Sequence, residues 1–171
     1  SEESILKMFK VNNAIYFQDK TKGLFAFENS KPKLISNDAA ILNDIVVGFF
    51  PVKEHFLVIT QNSGVFQLKN NQLSKFSDIL DGFSVYSSLK LNDKTLAIGT
   101  ISNGIIHLST NGEIINKIEQ ENGLGNNTVL SVFEDVDHNL WLGMDNGISC
   151  VNMESPFLIF NDEKGDLGTV Y

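Results

Sequence analysis

Asp135-Val136-Asp137-His138-Asn139 places side-chain oxygens at alternate positions, the spacing with which a calcium loop opens. Such a loop also needs a Gly at its sharp turn and a distal bidentate Glu, and neither follows here. The segment reads as a polar turn. His55, His107 and His138 have no partner at i,i+2 or i,i+4, so no metal site is expected. Cys150 is the single Cys, which excludes an internal disulfide, and between Ile148 and Val151 it reads as a buried, inert thiol. Acidic residues such as Asp19, Asp38, Asp81, Asp93 and Asp145 fall in turn-like segments, as a solvated surface requires. There is no G-x-S-x-G elbow and no phosphate-binding glycine loop. No catalytic residue and no cofactor are expected. Tyr16, Tyr86 and Tyr171 carry rings that can stack on sugars, with packing as the plainer role.

The elements that must position these residues are short and apolar. The chain has 171 residues, 42% of them hydrophobic and 20% charged, enough apolar content for a packed core rather than a disordered chain. Its formal net charge of −8 supplies no basic face, so no nucleic-acid partner is expected. The longest apolar run, residues 45–52, is interrupted by Gly48 and Pro51 and falls far short of the ~20 residues of a membrane-spanning helix. Ser1-Glu2-Glu3 is acidic with no apolar stretch behind it, so no targeting signal is read there.

One pattern recurs four times: an apolar strand, a polar turn, a Gly, and a second apolar strand. Gly23, Gly64, Gly104 and Gly147 mark the copies at separations of 41, 40 and 43 residues, the period of a four-stranded propeller blade. A further apolar stretch precedes and another follows each pair, and the joints are rich in Asn, Asp, Gly and Ser. The expected fold is all-β, a propeller of four consecutive four-stranded blades at about 5–36, 44–77, 84–118 and 128–161. The second strands, as in Leu57-Val58-Ile59 and Leu96-Ala97-Ile98, are apolar on both faces, as a strand between two packed sheets should be. Gly99 and Gly143 are expected where sheets crowd together.

The fourth copy is the sharpest. Asn122-Gly123-Leu124 and Asn127-Thr128-Val129 lead to Glu134-Asp135, then Asn139-Leu140-Trp141-Leu142-Gly143 and Gly147-Ile148. This resembles the two-component regulator propeller repeat. Tyr16, Val58 and Ala97 stand in the other copies where this one has Trp141, and His138 replaces the family's turn Gly. The resemblance implies the periplasmic sensor region of a bacterial, notably Bacteroidetes, hybrid two-component sensor or membrane-tethered transcription regulator. It implies a ligand, often carbohydrate, and a cytoplasmic kinase or DNA-binding output carried by the remainder of a membrane-anchored receptor. Alternatives are a protein-interaction scaffold or a polysaccharide-acting enzyme. Trp141 is expected to wedge into the inter-blade core, and Asn127 and Thr128 to pin the crossing into the fourth blade.

A β-branched position recurs at Ile45, Val85, Val129 and Val170, so Gly168-Thr169-Val170-Tyr171 reads as the start of a fifth blade and the chain as part of a larger propeller. Exposed blade faces then favour self-association, as an arc or a tight dimer ahead of a closed four-blade ring. Ligand contacts are expected from the blade-to-blade loops and second-to-third-strand turns, through Asn43, Asp81, Asn103, Asn127 and Asp145.

Overall fold

Each repeat folds as an antiparallel meander in which every strand pairs with its neighbours in sequence. The computed structural model describes residues 5–152. The first blade is β1 (Ile5–Val11), β2 (Ala14–Asp19), β3 (Gly23–Glu28) and β4 (Lys31–Ser36). The second is β5 (Val46–Val52), β6 (His55–Thr60), β7 (Val65–Lys69) and β8 (Gln72–Ser77). The third is β9 (Val85–Lys90), β10 (Leu96–Thr100), β11 (Ile105–Leu108) and β12 (Ile114–Ile118). The fourth has three described strands, β13 (Val129–Glu134), β14 (Asn139–Met144) and β15 (Gly147–Asn152). The strands expected at 157–160 and 168–171, with Tyr171, lie outside the described residues.

The hairpins explain the turn composition. Asn29-Ser30 and Asn70-Asn71 have φ of 49°, 62°, 52° and 62°. Positive φ at both central positions matches the right-handed twist of the flanking strands, and Asn tolerates it better than most residues. Among the described residues helix is confined to α1 (Ala39–Leu42) and a 3-10 turn at Gln120–Asn122. Among the described residues no helix is long and apolar enough to cross a membrane.

The chain divides into two compact units between Val85 and Tyr86. In the first unit one face of blade 1, carrying Val11, Leu24 and Ala26, packs on a face of blade 2 carrying Phe49, Val58 and Leu68. Phe49 lies at the centre, with its ring 4.5 Å from Phe56, 4.8 Å from Tyr16 and 5.8 Å from Phe9. Gln18 crosses this seam while fully buried. Its Nε2 donates to the carbonyls of Ile41 and Asp44, both at 2.7 Å, and its Oε1 accepts from the Val46 amide at 2.8 Å. One amide side chain thus satisfies three backbone groups at the entry to β5.

In the second unit Ala97 and Ile105 of blade 3 pack with Val129, Leu140 and Leu142 of blade 4, and Leu124 joins from the connection between them. Every residue of β10 is buried, as the doubly apolar strand predicts. Gly99 marks the closest approach. A Cβ there would strike Ser87 Oγ and lie 2.8 Å from both Cγ1 and the carbonyl oxygen of Val129. The crowding at Gly143 comes from Ser131 Oγ, on the paired strand of its own blade.

Two expectations are corrected here. Leu140 and Leu142 point into the core, so strand alternation sends Trp141 to the opposite face, where it is 45% exposed rather than a core wedge. Cys150 pairs directly with Trp141 and shares that face, so its thiol is exposed rather than buried.

Gln18→Leu keeps the volume but strands one amide and two carbonyls, each costing about 1–3 kcal/mol when buried unsatisfied. Urea unfolding should show a loss of about 3 kcal/mol. Gly99→Ala should cost about 1–3 kcal/mol by overpacking against Val129.

Candidate functional site

In a meander blade, the loop entering the first strand and the turn between the second and third strands lie at the same end. Asn43, Asp81, Asn103, Asn127 and Asp145 all belong to such segments, so each stands at that end of its blade.

In the first unit this end is built around Asp44. Asp38 caps α1 by accepting from the Ala40 amide at 2.9 Å, and Asn43 closes the turn, exposed. Asp44 then accepts the amides of Ser63, Asn62 and Ile45 at 2.7, 2.8 and 2.8 Å. Burial pushes its carboxyl up, but these hydrogen bonds outweigh that and hold it below the ordinary value. The β6–β7 turn is thereby fixed to the loop from blade 1. Lys75 reaches the same turn, donating to the Ser63 carbonyl at 2.8 Å and to Asp81 at 2.5 Å. A side chain at Gly64 (φ +94°) would collide with this Lys75–Asp81 pair. Asp81, through Lys75, and the neighbour of Asn43, Asp44, are thereby both tied to the β6–β7 turn. A polar cleft of about 540 Å³ opens beside the same connection, lined by Ser36, Asn37 and Asp38 and, across from them, by Asn70, Asn71 and Gln72.

In the second unit Asn103 and Asn127 come together. The Gly104 amide donates to the Asn127 carbonyl at 2.8 Å, and Asn127 Oδ1 accepts from the Gln120 amide at 2.7 Å. Thr128 Oγ1 donates to the Ile101 carbonyl at 2.6 Å, and Thr100 Oγ1 holds the Asn103 amide at 2.9 Å. Asn127 and Thr128 do pin the crossing, so the Asn127 side-chain oxygen is already engaged within the fold. Asp145 is exposed at the β14–β15 turn. Gly104 and Gly147 occupy positive φ of 63° and 145°, and Gly23 111°.

The opposite end carries the histidines of this unit. Thr95 Oγ1 lies 2.6 Å from Asp93 and 2.7 Å from His107 Nε2. The hydroxyl proton goes to Asp93, so Nε2 of His107 is the donor in that contact. Burial lowers the His107 pKa and the Asp93 charge partly restores it. His138 takes φ of 62° in the turn and sets Nδ1 3.0 Å from Glu134 Oε1. His55 is separate, its ring 5.8 Å from Phe76.

The D-x-D-x-N segment is a turn organised by its first residue. Asp135 accepts from the amides of Asp137 and Asn139, both at 2.9 Å, and from Trp141 Nε1 at 2.8 Å. Its oxygens thus face protein donors, and among the described residues no group of three or more His, Cys, Asp or Glu converges as metal ligands would. The Trp141 indole N–H is the main reason its pKa falls to about 2, against an opposing burial effect and with the Asn139 and Asp137 donors adding to it.

Gln18, Asp44 and Lys75 were not singled out by the sequence. Gln18 had a signal: pairing aligns it with Ile59, Gly99 and Gly143, positions where a long amide is out of character.

No family model matches the sequence, and no curated protein matches it. Solved structures do. The WD40 β-propeller domain of Doa1 superposes with TM-score 0.66 at 15% identity, over 89% of this chain and 51% of that one. The chain is a β-propeller. The propeller also matches the extracellular domain of the hybrid two-component system BT3049 from B. thetaiotaomicron, with TM-score 0.71 and 19% identity over 97% of this chain. The corresponding domain of BT4673 from the same organism gives 0.65 and 22% over 88%. The propeller spans 24% and 22% of those two chains. Both likenesses agree with the repeat resemblance carried by residues 122–148.

The Asp135 pKa sets an acid dependence. A carboxyl held at about 2, below its ordinary 3.8, stabilises the fold fully above the ordinary value. That contribution is lost as pH falls from about 4 through about 2. Thermal unfolding followed by Trp141 fluorescence should show it, and Asp135→Asn should lower the midpoint at neutral pH while flattening the decline across that window.

Proposed function

We propose that this propeller is the extracytoplasmic, periplasmic sensor region of a bacterial signal-transduction receptor. The observation that carries the reading is the likeness to the extracellular domains of two hybrid two-component systems over 88% and 97% of the chain. The repeat of residues 122–148 supports it independently. The ligand is a hydroxyl-rich small molecule, an oligosaccharide. It meets the loop-bearing end of the blades, where exposed amides and carboxylates stand on turns fixed by Asp44, Lys75 and Asn127. A second contact region is the cleft between the β4–β5 connection and the β7–β8 hairpin, which turns at the other end of blade 2; it offers amide, hydroxyl and carboxylate groups of Asn37, Ser36, Asp38, Asn70 and Asn71. Such a propeller senses by binding one receptor state more tightly than another, which biases a cytoplasmic kinase or DNA-binding output. It does no chemistry itself.

The test is thermal unfolding of the chain against a panel of oligosaccharides. A true ligand at 100 times its Kd stabilises by about 2.7 kcal/mol. Asn37→Ala and Asn43→Ala should erode that shift, and so should Ala substitutions at Asp81, Asn103 and Asp145. Asn127→Ala should instead lower the unligated midpoint. No shift across the panel, with capture of a protein partner in its place, would move the reading to an interaction scaffold. Release of reducing ends would make it an enzyme.

A further inference from the structure

Four asparagines precede a glycine, in Asn103-Gly104, Asn111-Gly112, Asn122-Gly123 and Asn146-Gly147. An asparagine in this setting can lose its amide without an enzyme. The glycine nitrogen bonds to the side-chain Cγ and ammonia leaves, which closes a succinimide ring. Water then opens the ring at either carbonyl. The product is Asp, or isoaspartate with the main chain running through Cβ. The net change is amide plus water to carboxyl plus ammonia, with no oxidant or cofactor. Glycine favours the step because no Cβ hinders the approaching nitrogen. The reaction needs a free side chain and a glycine amide that can leave its partners, so the fold decides which of the four react.

Three of them are held. Asn122 is locked at both ends of its amide, with Oδ1 accepting from the Glu119 amide at 2.5 Å and Nδ2 donating to the Lys117 carbonyl at 3.0 Å. At Asn103 the attacking nitrogen is the restrained group. Gly104 is buried, its amide donates to the Asn127 carbonyl at 2.8 Å, and a Cβ on it would strike the Ile118 carbonyl. Asn111 sits in a turn clamped by Ser109. The Ser109 carbonyl accepts from the Gly112 amide at 3.1 Å, and Ser109 Oγ accepts from the amides of Asn111 and Glu113 at 3.3 and 3.2 Å.

Asn146 differs. It lies in the two-residue turn between β14 and β15, where Asp145, Asn146, Gly147 and Ile148 are all exposed. Its side chain makes no hydrogen bond among the described residues. A Cβ on Gly147 would meet nothing within 4 Å, so the glycine has room to turn toward the Asn146 side chain. Gly147 is paired with Met144 at the very end of the ladder, and terminal pairs open most readily.

We propose that Asn146 is a site of spontaneous deamidation in the folded protein, and that the fold protects Asn103, Asn111 and Asn122. The conversion puts a second carboxylate beside Asp145, at the end of the blade that carries the candidate ligand contacts. Isoaspartate also lengthens the backbone of a two-residue hairpin link, which displaces the Met144–Gly147 pair. The modification follows from the turn itself and stands independently of any ligand.

The test holds the full chain in mildly alkaline buffer, folded and, in parallel, unfolded in urea. Peptide mass spectrometry follows each Asn-Gly site, and each folded rate is expressed as a fraction of the unfolded rate at the same site. Asn146 should keep a fraction at least about tenfold larger than any of the other three. Labelling with isoaspartyl methyltransferase should mark the peptide that holds residue 146. Asn146→Gln, whose longer side chain closes the corresponding ring far more slowly, should remove most of the ammonia released by the folded chain. A fraction at Asn103, Asn111 or Asn122 as large as that at Asn146 would overturn the proposal. So would undiminished ammonia release from the Asn146→Gln chain.

Discussion

The structure depends on how closely the inner strand of one blade approaches the second strand of the blade before it. Sheets packed face to face leave about 10 Å between them for side chains. At the entries to β5 and β13 the chain comes much nearer than that, and its backbone groups need either partners or clearance. Two solutions are present. Gln18 supplies partners, satisfying two carbonyls and an amide at the start of blade 2. Gly99 supplies clearance, letting Val129 settle against bare backbone while Ser87 takes its carbonyl. The apolar clusters around Phe49 and around Leu142 bury the facing sheet surfaces, but these contacts set where the sheets meet.

The same economy governs the end of the blades where ligand contact is proposed. Turns that would otherwise be loose are clamped by single side chains. Asp44 holds the β6–β7 turn with backbone amides, Lys75 joins that turn to Asp81, and Asn127 ties the last connection to both Gly104 and Gln120. A surface that recognises a ligand has to be ordered before the ligand arrives, or the binding energy goes into ordering it. Here the exposed Asn43 sits on a segment whose backbone is already committed.

Through the described residues the repeat of strand, turn, glycine and strand was legible, because recurring glycines at positive φ and apolar second strands are local features. Gly23, Gly64, Gly104 and Gly147 all take the left-handed region. The facing of individual side chains was less legible. Trp141 and Cys150 look like core residues by type, yet both fall on the strand face opposite Leu140 and Leu142. Type says how much a residue gains by burial, whereas alternation and the presence of a covering sheet decide whether it is buried. The hydrogen-bonding residues were the least legible. Asp44 and Lys75 act across 18 residues and 12 residues of sequence respectively, and nothing local marks them. Gln18 was detectable only by aligning repeats and asking why a polar side chain occupies a position that is elsewhere isoleucine or glycine.

That alternation between Gln18, Ile59, Gly99 and Gly143 at one position makes the blades non-interchangeable. Repeats that share a fold and a period are commonly thought of as modules that can be shuffled. A long amide docked where glycine belongs would occupy the space Val129 fills, and a glycine in place of Gln18 would leave the α1–β5 turn without its partners. The junction within each unit is therefore keyed to its own two blades. The order of blades along the chain is enforced by local chemistry as well as by connectivity, which disfavours misregistered docking between near-identical sheets while the repeat array assembles.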